Sequence, residues 1–250
     1  MTIEAHSRIA QFYRFRPPYK ASFFDAAAQK LGLTPETVLL DLCCGRGELA
    51  SGFSRLCKSI VAVDGSERML EHRIERPNVS YLRHDLNGEP LALAERADHF
   101  VIGSAVQWLK PPKLRELVDD HLKPGGAILV THTLFRMDGQ PYARALAEFN
   151  EGFSRRPGQG FQGLGGAERM EALGFREIDR LRLTASVSFD VDYLFRNQLS
   201  YLYEDAFEQV TADMERYRTE MHKALARFCN AEGKLAATLV NWGVIYSRAA

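Results

Sequence analysis

The chain has 250 residues, which is enough for one large or two small domains with a substantial apolar core. Its 32 lysine and arginine residues balance its 32 aspartate and glutamate residues, so no net charge draws it to a nucleic-acid backbone. The sequence shows no leader pattern and no apolar run near the roughly 20 residues of a membrane span, so a cytoplasmic protein without a membrane partner is expected.

Four cysteines occur at positions 43, 44, 57 and 229. Their spacing fits neither a metal site nor a disulfide framework. Reduced thiols and no bound metal are therefore expected, as is typical of a cytoplasmic protein.

The first predicted elements are a helix, a strand and a turn that contains two glycines. The pattern predicts a helix over 21–31 that stops at Gly32. An apolar strand over 38–42 follows and runs into the turn Cys43-Cys44-Gly45-Arg46-Gly47. Such a turn allows a ligand to approach the backbone at the open edge of a parallel sheet.

A second helix and strand complete this unit. The helix is predicted over 48–58, and the strand over 60–64 ends in Asp64. An acid at the end of the second strand is suited to the two hydroxyls of a ribose. The pattern therefore predicts a nucleoside ligand.

The residues of the turn narrow the choice of nucleoside. A dinucleotide fingerprint would have glycines at Cys43 and Glu48, and a P-loop would have lysine after Gly47. The Glu48 carboxylate would also repel a pyrophosphate at the start of the helix. S-adenosylmethionine fits this turn, because it has no phosphate and carries a sulfonium and an ammonium group.

The stretch from Asp41 to Gly47 resembles the first motif of class I S-adenosylmethionine-dependent methyltransferases. The segments that follow resemble the same family in the same order: a third strand over 79–84, a fourth over 97–103, and a turn and strand over 122–130. The resemblance implies an α/β fold, a doubly wound Rossmann-like sheet of seven mostly parallel strands. It also implies an antiparallel last strand and helical lid insertions.

The resemblance also implies which residues bind the cofactor. In the family, the first turn faces the methionine part, the second-strand acid holds the ribose, and later residues surround the adenine. By this resemblance, the first-turn residues are Asp41, Cys43, Gly45 and Gly47, and the ribose acid is Asp64. Gly65, Ser66 and Met69 would cover the adenine, Asp85 and Leu86 would lie beside it, and Ser104 would lie in a loop that faces the cofactor. The family usually has glycine where Cys43 stands, so the Cys43 side chain is expected either to narrow the pocket or to be accommodated by a slight shift.

The resemblance and the pattern together predict one domain over residues 1–250. Its parts are a closing arm over 1–20, a cofactor-binding core over 21–133, lid insertions over 134–166 and 190–228, a sixth strand over 175–189 and a last strand over 234–248. The insertions follow strands whose carboxyl ends bind ligands in open α/β sheets, so they are expected to contact the substrate.

The arm before the first strand is rich in aromatic residues. It resembles a segment that several small-molecule methyltransferases fold over the cofactor, and Tyr13 and Tyr19 are the candidates to face the sulfonium. A cation–π contact of this kind contributes about 0.5–2 kcal/mol. The alternative is an ordinary surface arm held by Pro17 and Pro18.

Methyl transfer from a sulfonium mainly needs an aligned acceptor in a dry site. His132 is the candidate general base, which is needed only if the acceptor loses a proton. Gln107 and Trp108 are candidate substrate contacts, and this loop and the arm resemble the trans-aconitate methyltransferase-like branch. If the acceptor is a carboxylate, arginines at 16, 155 and 156 are candidate anion clamps, with Arg16 the leading one.

The leading hypothesis is therefore transfer of a methyl group from S-adenosylmethionine to an oxygen or nitrogen of a small molecule. One alternative is a protein of the same fold that binds the cofactor without catalysis. Another is an NAD-dependent oxidoreductase, against which Cys43 and Glu48 argue. The sequence does not determine the acceptor or the oligomeric state.

Overall fold

A computed structural model describes residues 7–153, 166–202 and 204–248 of the chain. The chain forms two compact units. The sheet unit contains Pro18–Thr133, Phe161–Leu183 and Asn241–Ala250. The helical unit contains Met1–Pro17, Leu134–Gly160 and Thr184–Val240.

Seven strands form one sheet within the described residues, in the order β3-β2-β1-β4-β5-β7-β6. The strands are β1 Val38–Leu42, β2 Ser59–Asp64, β3 Val79–Arg83, β4 Ala97–Gly103, β5 Leu122–Arg136, β6 Phe175–Asp190 and β7 Lys234–Arg248. The order reverses between β1 and β4, and open α/β sheets bind ligands at such a switch point.

The first five strands are parallel. β1 pairs with β2 and β4 on its two sides, so that Leu39 lies opposite both Ile60 and His99. Further along, Gly103 of β4 lies opposite Thr131 of β5. The carboxyl ends of β1, β2, β4 and β5 therefore share one edge of the sheet.

The last strand runs antiparallel to β5. Thr131 donates to the carbonyl of Trp242 over 2.8 Å, and Thr133 accepts from the Asn241 side chain over 2.7 Å. Residue numbers therefore increase along β5 as they decrease along β7. This arrangement confirms the predicted Rossmann-like class with its antiparallel last strand.

Nine helices are present within the described residues. They are α1 Ala21–Leu31, α2 Glu48–Phe53, α3 Glu67–Glu71, α4 Pro111–His121, α5 Ala143–Phe153, α6 Gly166–Ala172, α7 Val191–Leu199, α8 Glu204–Ala212 and α9 Met214–Leu225. Short 3-10 helices occur at Ala10–Phe15, Ser54–Leu56, Val106–Trp108 and Ala226–Phe228. None of the helices in the described part of the chain has the length and apolar character to cross a membrane.

The central strands are buried on both faces. All five residues of β1 are buried, and alternate side chains belong to two different apolar clusters. Leu40 and Phe100 pack on one face, whereas Leu39 and Val101 pack on the other. Coverage of both faces is what a parallel sheet with helices on each side requires.

The ends of the first two helices differ in how well the sequence predicted them. Gly32 ends α1 as expected, in the left-handed conformation with φ 67°. The helix predicted over 48–58 is α-helical only as far as Phe53. The Asn78 side-chain amide lies 2.8 Å from the carbonyl of Ser54 and 3.1 Å from that of Cys57, so it binds the carbonyls at which the helix stops.

The helical unit has an apolar cluster of its own, in which Leu194 of α7 and Met221 of α9 are fully buried. The same two helices are joined by Asp192, which accepts two hydrogen bonds from Arg218 and one from His222. The helices predicted after residue 190 are therefore present, while their role as a lid stays a prediction. Arg155 and Arg156 lie outside the described residues.

Candidate cofactor site

The turn after β1 has the positive φ angles that its sequence suggests. Gly45 has φ 60° and Gly47 has φ 82°, in the left-handed region that glycine adopts without strain. Gly47 also needs its small size, because a Cβ atom there would lie 2.1 Å from the Tyr81 hydroxyl. Tyr81 is fixed by a 2.7 Å hydrogen bond to the carbonyl of Ile74.

Cys43 opens this turn in the same conformation, with φ 56°, although it is not glycine. Its side chain is half-buried and packs against the apolar cluster around Leu40 and Phe100. Burial raises the pKa of its thiol, so the side chain is a neutral apolar filler.

Asp64, at the end of β2, binds the backbone on both sides of the site. One carboxylate oxygen accepts from the Gly45 amide and the other from the Ser66 amide, each over 2.8 Å. Burial raises the pKa of Asp64, while these two hydrogen bonds oppose the rise. A carboxylate can accept about four hydrogen bonds, so this one keeps capacity for two ligand hydroxyls.

Asp41 is almost fully buried near the end of β1. One of its carboxylate oxygens accepts from the Ala50 amide in α2 over 3.0 Å. The other has no hydrogen-bond partner among the described residues. Burial raises the pKa of Asp41, and the nearby carboxylates of Glu48 and Asp64 raise it further. A buried acceptor of this kind is suited to a ligand that brings a donor.

The residues that follow β2 and β3 form two short turns. Ser66 caps α3 by accepting from the Met69 amide over 3.3 Å, and both residues are buried, next to half-buried Gly65. Asp85 is exposed and accepts from the Asn87 amide over 2.9 Å, whereas Leu86 belongs to the apolar core. The adenine role of Asp85 stays a prediction.

Ser104, just after β4, meets His132 of β5. The Ser104 hydroxyl lies 2.6 Å from Nδ1 of His132, and the Ser104 backbone is left-handed with φ 53°. Gln107 donates to the carbonyl of Ser104 over 2.9 Å. Trp108 is half-buried against the core, and its own carbonyl accepts from the Asn87 side chain.

Tyr19 is held beside this edge by Asn241, a residue that the sequence did not single out. The buried Asn241 side chain accepts from the Lys20 amide over 3.0 Å and donates to the Pro18 carbonyl over 3.0 Å. A Cβ atom on Gly103 would lie 3.6 Å from the Tyr19 hydroxyl. A polar amide within an apolar strand was the available signal for Asn241.

Tyr13 and Arg16 belong to the helical unit. The Arg16 guanidinium lies 4.3 Å from the centre of the Tyr13 ring and 4.4 Å from that of Tyr201. It donates to the Ser200 carbonyl over 2.7 Å, and its buried Nε atom has no partner among the described residues. Tyr13 therefore makes a cation–π contact with a cation of the chain itself.

Metal binding has no support in the described residues, where no cluster of three or more histidine, cysteine or acidic side chains is placed to hold an ion. The structure brings together Asp41, Gly45, Gly47, Asp64 and Ser66 around one turn. It joins Ser104, Gln107 and His132 around another. Both turns lie at the same edge of the sheet.

Part of this region is similar to known proteins. Residues 39–126 match the family model of the methyltransferase domain. A curated relative, a probable cobalt-precorrin-6B C(15)-methyltransferase (decarboxylating) from Methanococcus vannielii, is 34% identical over 64 residues. The match covers 25% of this chain and 36% of that relative.

Solved structures match over most of the chain. A proposed type II methyltransferase from Anaeromyxobacter dehalogenans has a TM-score of 0.65 at 20% identity, covering 92% of this chain and 96% of its own. The [4+2]-cyclase SpnF has a TM-score of 0.52 at 16% identity, covering 91% and 81%. At these identities the structures establish the fold alone. Residues 39–126 thus match the model of a methyltransferase domain, and the chain shares the fold of the methyltransferase structures compared with it.

Proposed function

We propose that this protein transfers the methyl group of S-adenosylmethionine to an oxygen or nitrogen atom of a small molecule. The observation that carries the proposal is the pair of carboxylates on either side of the glycine turn. Asp41 has a buried oxygen without a partner, and Asp64 has free acceptor capacity beside the Gly45 and Ser66 amides. One oxygen is suited to an ammonium group and the other carboxylate to a ribose.

The charge of the site favours this cofactor over a dinucleotide. Three acidic side chains lie near this turn: Asp41, Glu48 and Asp64. The last two are close enough to Asp41 to raise its pKa. A pyrophosphate would be repelled by them, whereas a ligand with a sulfonium and an ammonium would be attracted. The NAD-dependent alternative is therefore disfavoured by electrostatics as well as by the family match.

The protein's contribution to catalysis would be alignment and exclusion of water. S-adenosylmethionine, when bound, supplies an activated methyl group. Asp64 would accept from the ribose hydroxyls, and Asp41 would accept from the ammonium group. Holding two reactants in line can supply roughly 7–11 kcal/mol in favourable cases. His132 would accept a proton from an acceptor that loses one.

For the acceptor, we propose only its class, a small molecule. Balanced charge and the resemblance of the Gln107-Trp108 loop to the trans-aconitate methyltransferase-like branch support a small molecule over a nucleic acid. Arg16 would act as an anion clamp for a carboxylate only by giving up contacts with Tyr13, Tyr201 and Ser200. The cytoplasmic location also stays a prediction.

A cofactor-binding protein without methyl transfer is the second candidate. It is favoured by one finding, that the [4+2]-cyclase SpnF shares the fold. Fold similarity therefore leaves the reaction open, and turnover must separate the two candidates.

The test is an assay for S-adenosylhomocysteine formation with S-adenosylmethionine carrying a labelled methyl group. Small hydroxyl, amine and carboxylate compounds, together with DNA and tRNA, would be offered as acceptors. We expect label in a small molecule and none with Asp64→Asn. Binding of S-adenosylmethionine without transfer to any acceptor would support the second candidate, and label in nucleic acid would contradict the proposed acceptor class.

A further inference from the structure

A serine just after β4 and a histidine within β5 are held in a fixed relation. Gly103 lies opposite Thr131, so the residues that follow them, Ser104 and His132, lie side by side. The Ser104 amide donates to the Thr131 carbonyl over 2.8 Å. Their 2.6 Å side-chain contact thus follows from the register of two paired strands.

The Ser104 backbone is fixed on both sides in a conformation that most side chains avoid. Its φ is 53°, its amide binds Thr131, and its carbonyl accepts from the Gln107 side chain over 2.9 Å. Glycine would adopt this backbone without strain but would leave Nδ1 of His132 without the hydroxyl. The serine side chain therefore has a use that the backbone alone does not explain.

The hydroxyl determines the chemistry of the imidazole. In a neutral histidine one ring nitrogen carries the proton, and the hydrogen bond at one nitrogen sets the state of the other. If Nδ1 donates to the Ser104 oxygen, Nε2 carries the lone pair and is the basic atom. The opposite arrangement would make Nε2 a donor and remove it as a base.

The surroundings of His132 include an exposed aromatic surface. The Trp242 ring centre lies 5.8 Å from that of His132, and 37% of the Trp242 side chain is exposed. The Trp242 carbonyl accepts from the Thr131 hydroxyl, which ties this part of β7 to β5. An apolar wall beside the imidazole would pack the body of an acceptor and keep water away.

We propose that Ser104 is a positioning residue that holds the proton of His132 on Nδ1, so that Nε2 accepts a proton from a hydroxyl acceptor. This inference rests on the proposed methyl transfer and names its acceptor class. As the acceptor oxygen bonds to the methyl carbon, the bond from that carbon to sulfur breaks and its electron pair stays on sulfur. The hydroxyl proton passes to Nε2 of His132, which leaves an imidazolium paired with Ser104.

The first test needs no cofactor or acceptor. Two-dimensional ¹H–¹⁵N NMR on protein with ¹⁵N-labelled histidine reports which ring nitrogen is protonated, and His132→Asn identifies the signal. We expect His132 to carry its proton on Nδ1 in the wild type and to become a mixture of both tautomers in Ser104→Ala. A wild-type proton on Nε2, or a signal that Ser104→Ala leaves unchanged, would overturn the proposal.

Two further variants guard against an effect of misfolding. Ser104→Gly lacks the hydroxyl but suits the left-handed backbone, and it should give the same mixed tautomer as Ser104→Ala. Ser80→Ala, at an exposed position of β3, is the matched serine control and should leave the His132 signal unchanged. A shift with Ser80→Ala equal to that with Ser104→Gly would contradict a specific role of Ser104.

Turnover provides the second readout. With a hydroxyl acceptor from the labelled-methyl assay, His132→Asn should lower kcat by about 10²–10⁴-fold, as removal of a general base does. Ser104→Gly should lower kcat by about tenfold while KM and S-adenosylhomocysteine affinity stay unchanged. Equal kcat values for His132→Asn and wild type would show that His132 is not the general base. If the protein did not bind S-adenosylhomocysteine, the proposed function would be refuted. The tautomer measurement needs no ligand, so it would still test the role of Ser104.

Discussion

The turns after β1 and β4 begin with the same backbone conformation and use it differently. Cys43 has φ 56° and Ser104 has φ 53°, and the two turns follow adjacent parallel strands. Around Cys43 the polar contacts come from carboxylates and backbone amides, and the cysteine itself packs into the core. Around Ser104 the side chain itself makes the key contact, with His132.

The difference separates binding from proton transfer. In the proposed function, the first turn would present amides and the acidic side chains of Asp41 and Asp64 to a cationic nucleoside. The second turn holds the Ser104 hydroxyl against the His132 imidazole, which would accept the proton. The same strained geometry thus supports a cofactor site in one place and a candidate base in the other.

The largest expected effect is on cofactor affinity when Asp64 becomes asparagine. Both Asp64 oxygens accept from backbone amides, and an amide nitrogen in place of one oxygen would face a second donor. Hydrogen bonds to a charged group contribute about 1.5–3 kcal/mol each, so S-adenosylhomocysteine affinity should fall by about 100-fold or more. Isothermal titration calorimetry measures it.

The matched control for this substitution is Asp25→Asn, on an exposed helix face where Asp25 pairs with Arg55. The affinity of Asp25→Asn for S-adenosylhomocysteine should equal that of the wild type. Retention of wild-type affinity by Asp64→Asn would rule out the ribose role.

The next effect concerns the space at Gly47. Gly47→Ala would place a Cβ atom 2.1 Å from the Tyr81 hydroxyl, whereas Gly125→Ala, at nearly the same φ of 79°, meets no atom within 4 Å. Overpacking costs about 1–3 kcal/mol, so Gly47→Ala should lower the free energy of unfolding by that much more than Gly125→Ala. Urea denaturation compares the two variants, and equal losses would show that only backbone strain matters at Gly47.

A direct comparison of the two turns uses glycine at both positive-φ positions. Cys43→Gly and Ser104→Gly relieve the same left-handed strain, about 1–2 kcal/mol, against the greater flexibility of glycine in the unfolded chain. Cys43→Gly should leave kcat and cofactor affinity within about threefold, since a glycine here removes only an apolar filler. Ser104→Gly should lose about tenfold in kcat. Similar kinetics for both variants would contradict the division of roles.

The smallest expected effect is a pH dependence of stability that Asp41 contributes. Burial raises the pKa of Asp41, so the folded protein keeps this proton to a higher pH than the unfolded chain does. The protonated Asp41 side chain contributes fully to the stability of the folded protein below its pKa in the unfolded chain, about 3.9. This contribution is lost as pH rises through the pKa of Asp41 in the folded protein. Because asparagine does not titrate, the Asp41→Asn variant does not lose stability in this way as pH rises. The free energy of unfolding of Asp41→Asn relative to wild type should therefore rise between about pH 3.5 and pH 8.

Asp179→Asn is a control with the opposite sign. A hydrogen bond from Lys30 lowers the pKa of Asp179, so its contribution is present above the unfolded pKa and is lost as pH falls. Its free energy of unfolding relative to wild type should fall, not rise, as pH increases. Chemical denaturation at several pH values measures both variants, and parallel curves for Asp41→Asn and wild type would refute the assignment.

The first turn was predictable because its information is local. One apolar strand, two glycines at positive φ and an acid at the end of the next strand lie within 27 residues, Val38 to Asp64, and the register of β1 on β2 brings them together. The same locality explains why the helix that ends at Gly32 and the strands over 38–42 and 60–64 were predicted with at most a one-residue boundary error. The helix over 48–58 was predicted too long, because its end depends on Asn78 from outside the helix.

The second turn was only partly predictable because its contacts are distant in sequence. His132 and Ser104 were both singled out, but as a base and a cofactor contact, and only strand register pairs them. Asn241 and Trp242 lie more than a hundred residues from their partners Pro18 and Thr131. Local periodicity shows that β7 is apolar, but it does not show which strand it borders.

The central claim is tested most directly by calorimetric titration of the wild-type protein with S-adenosylmethionine, S-adenosylhomocysteine and NAD. The acidic turn with its unpartnered Asp41 oxygen predicts micromolar binding of both adenosyl ligands and no binding of NAD. Binding of NAD, or the absence of binding by both adenosyl ligands, would contradict it.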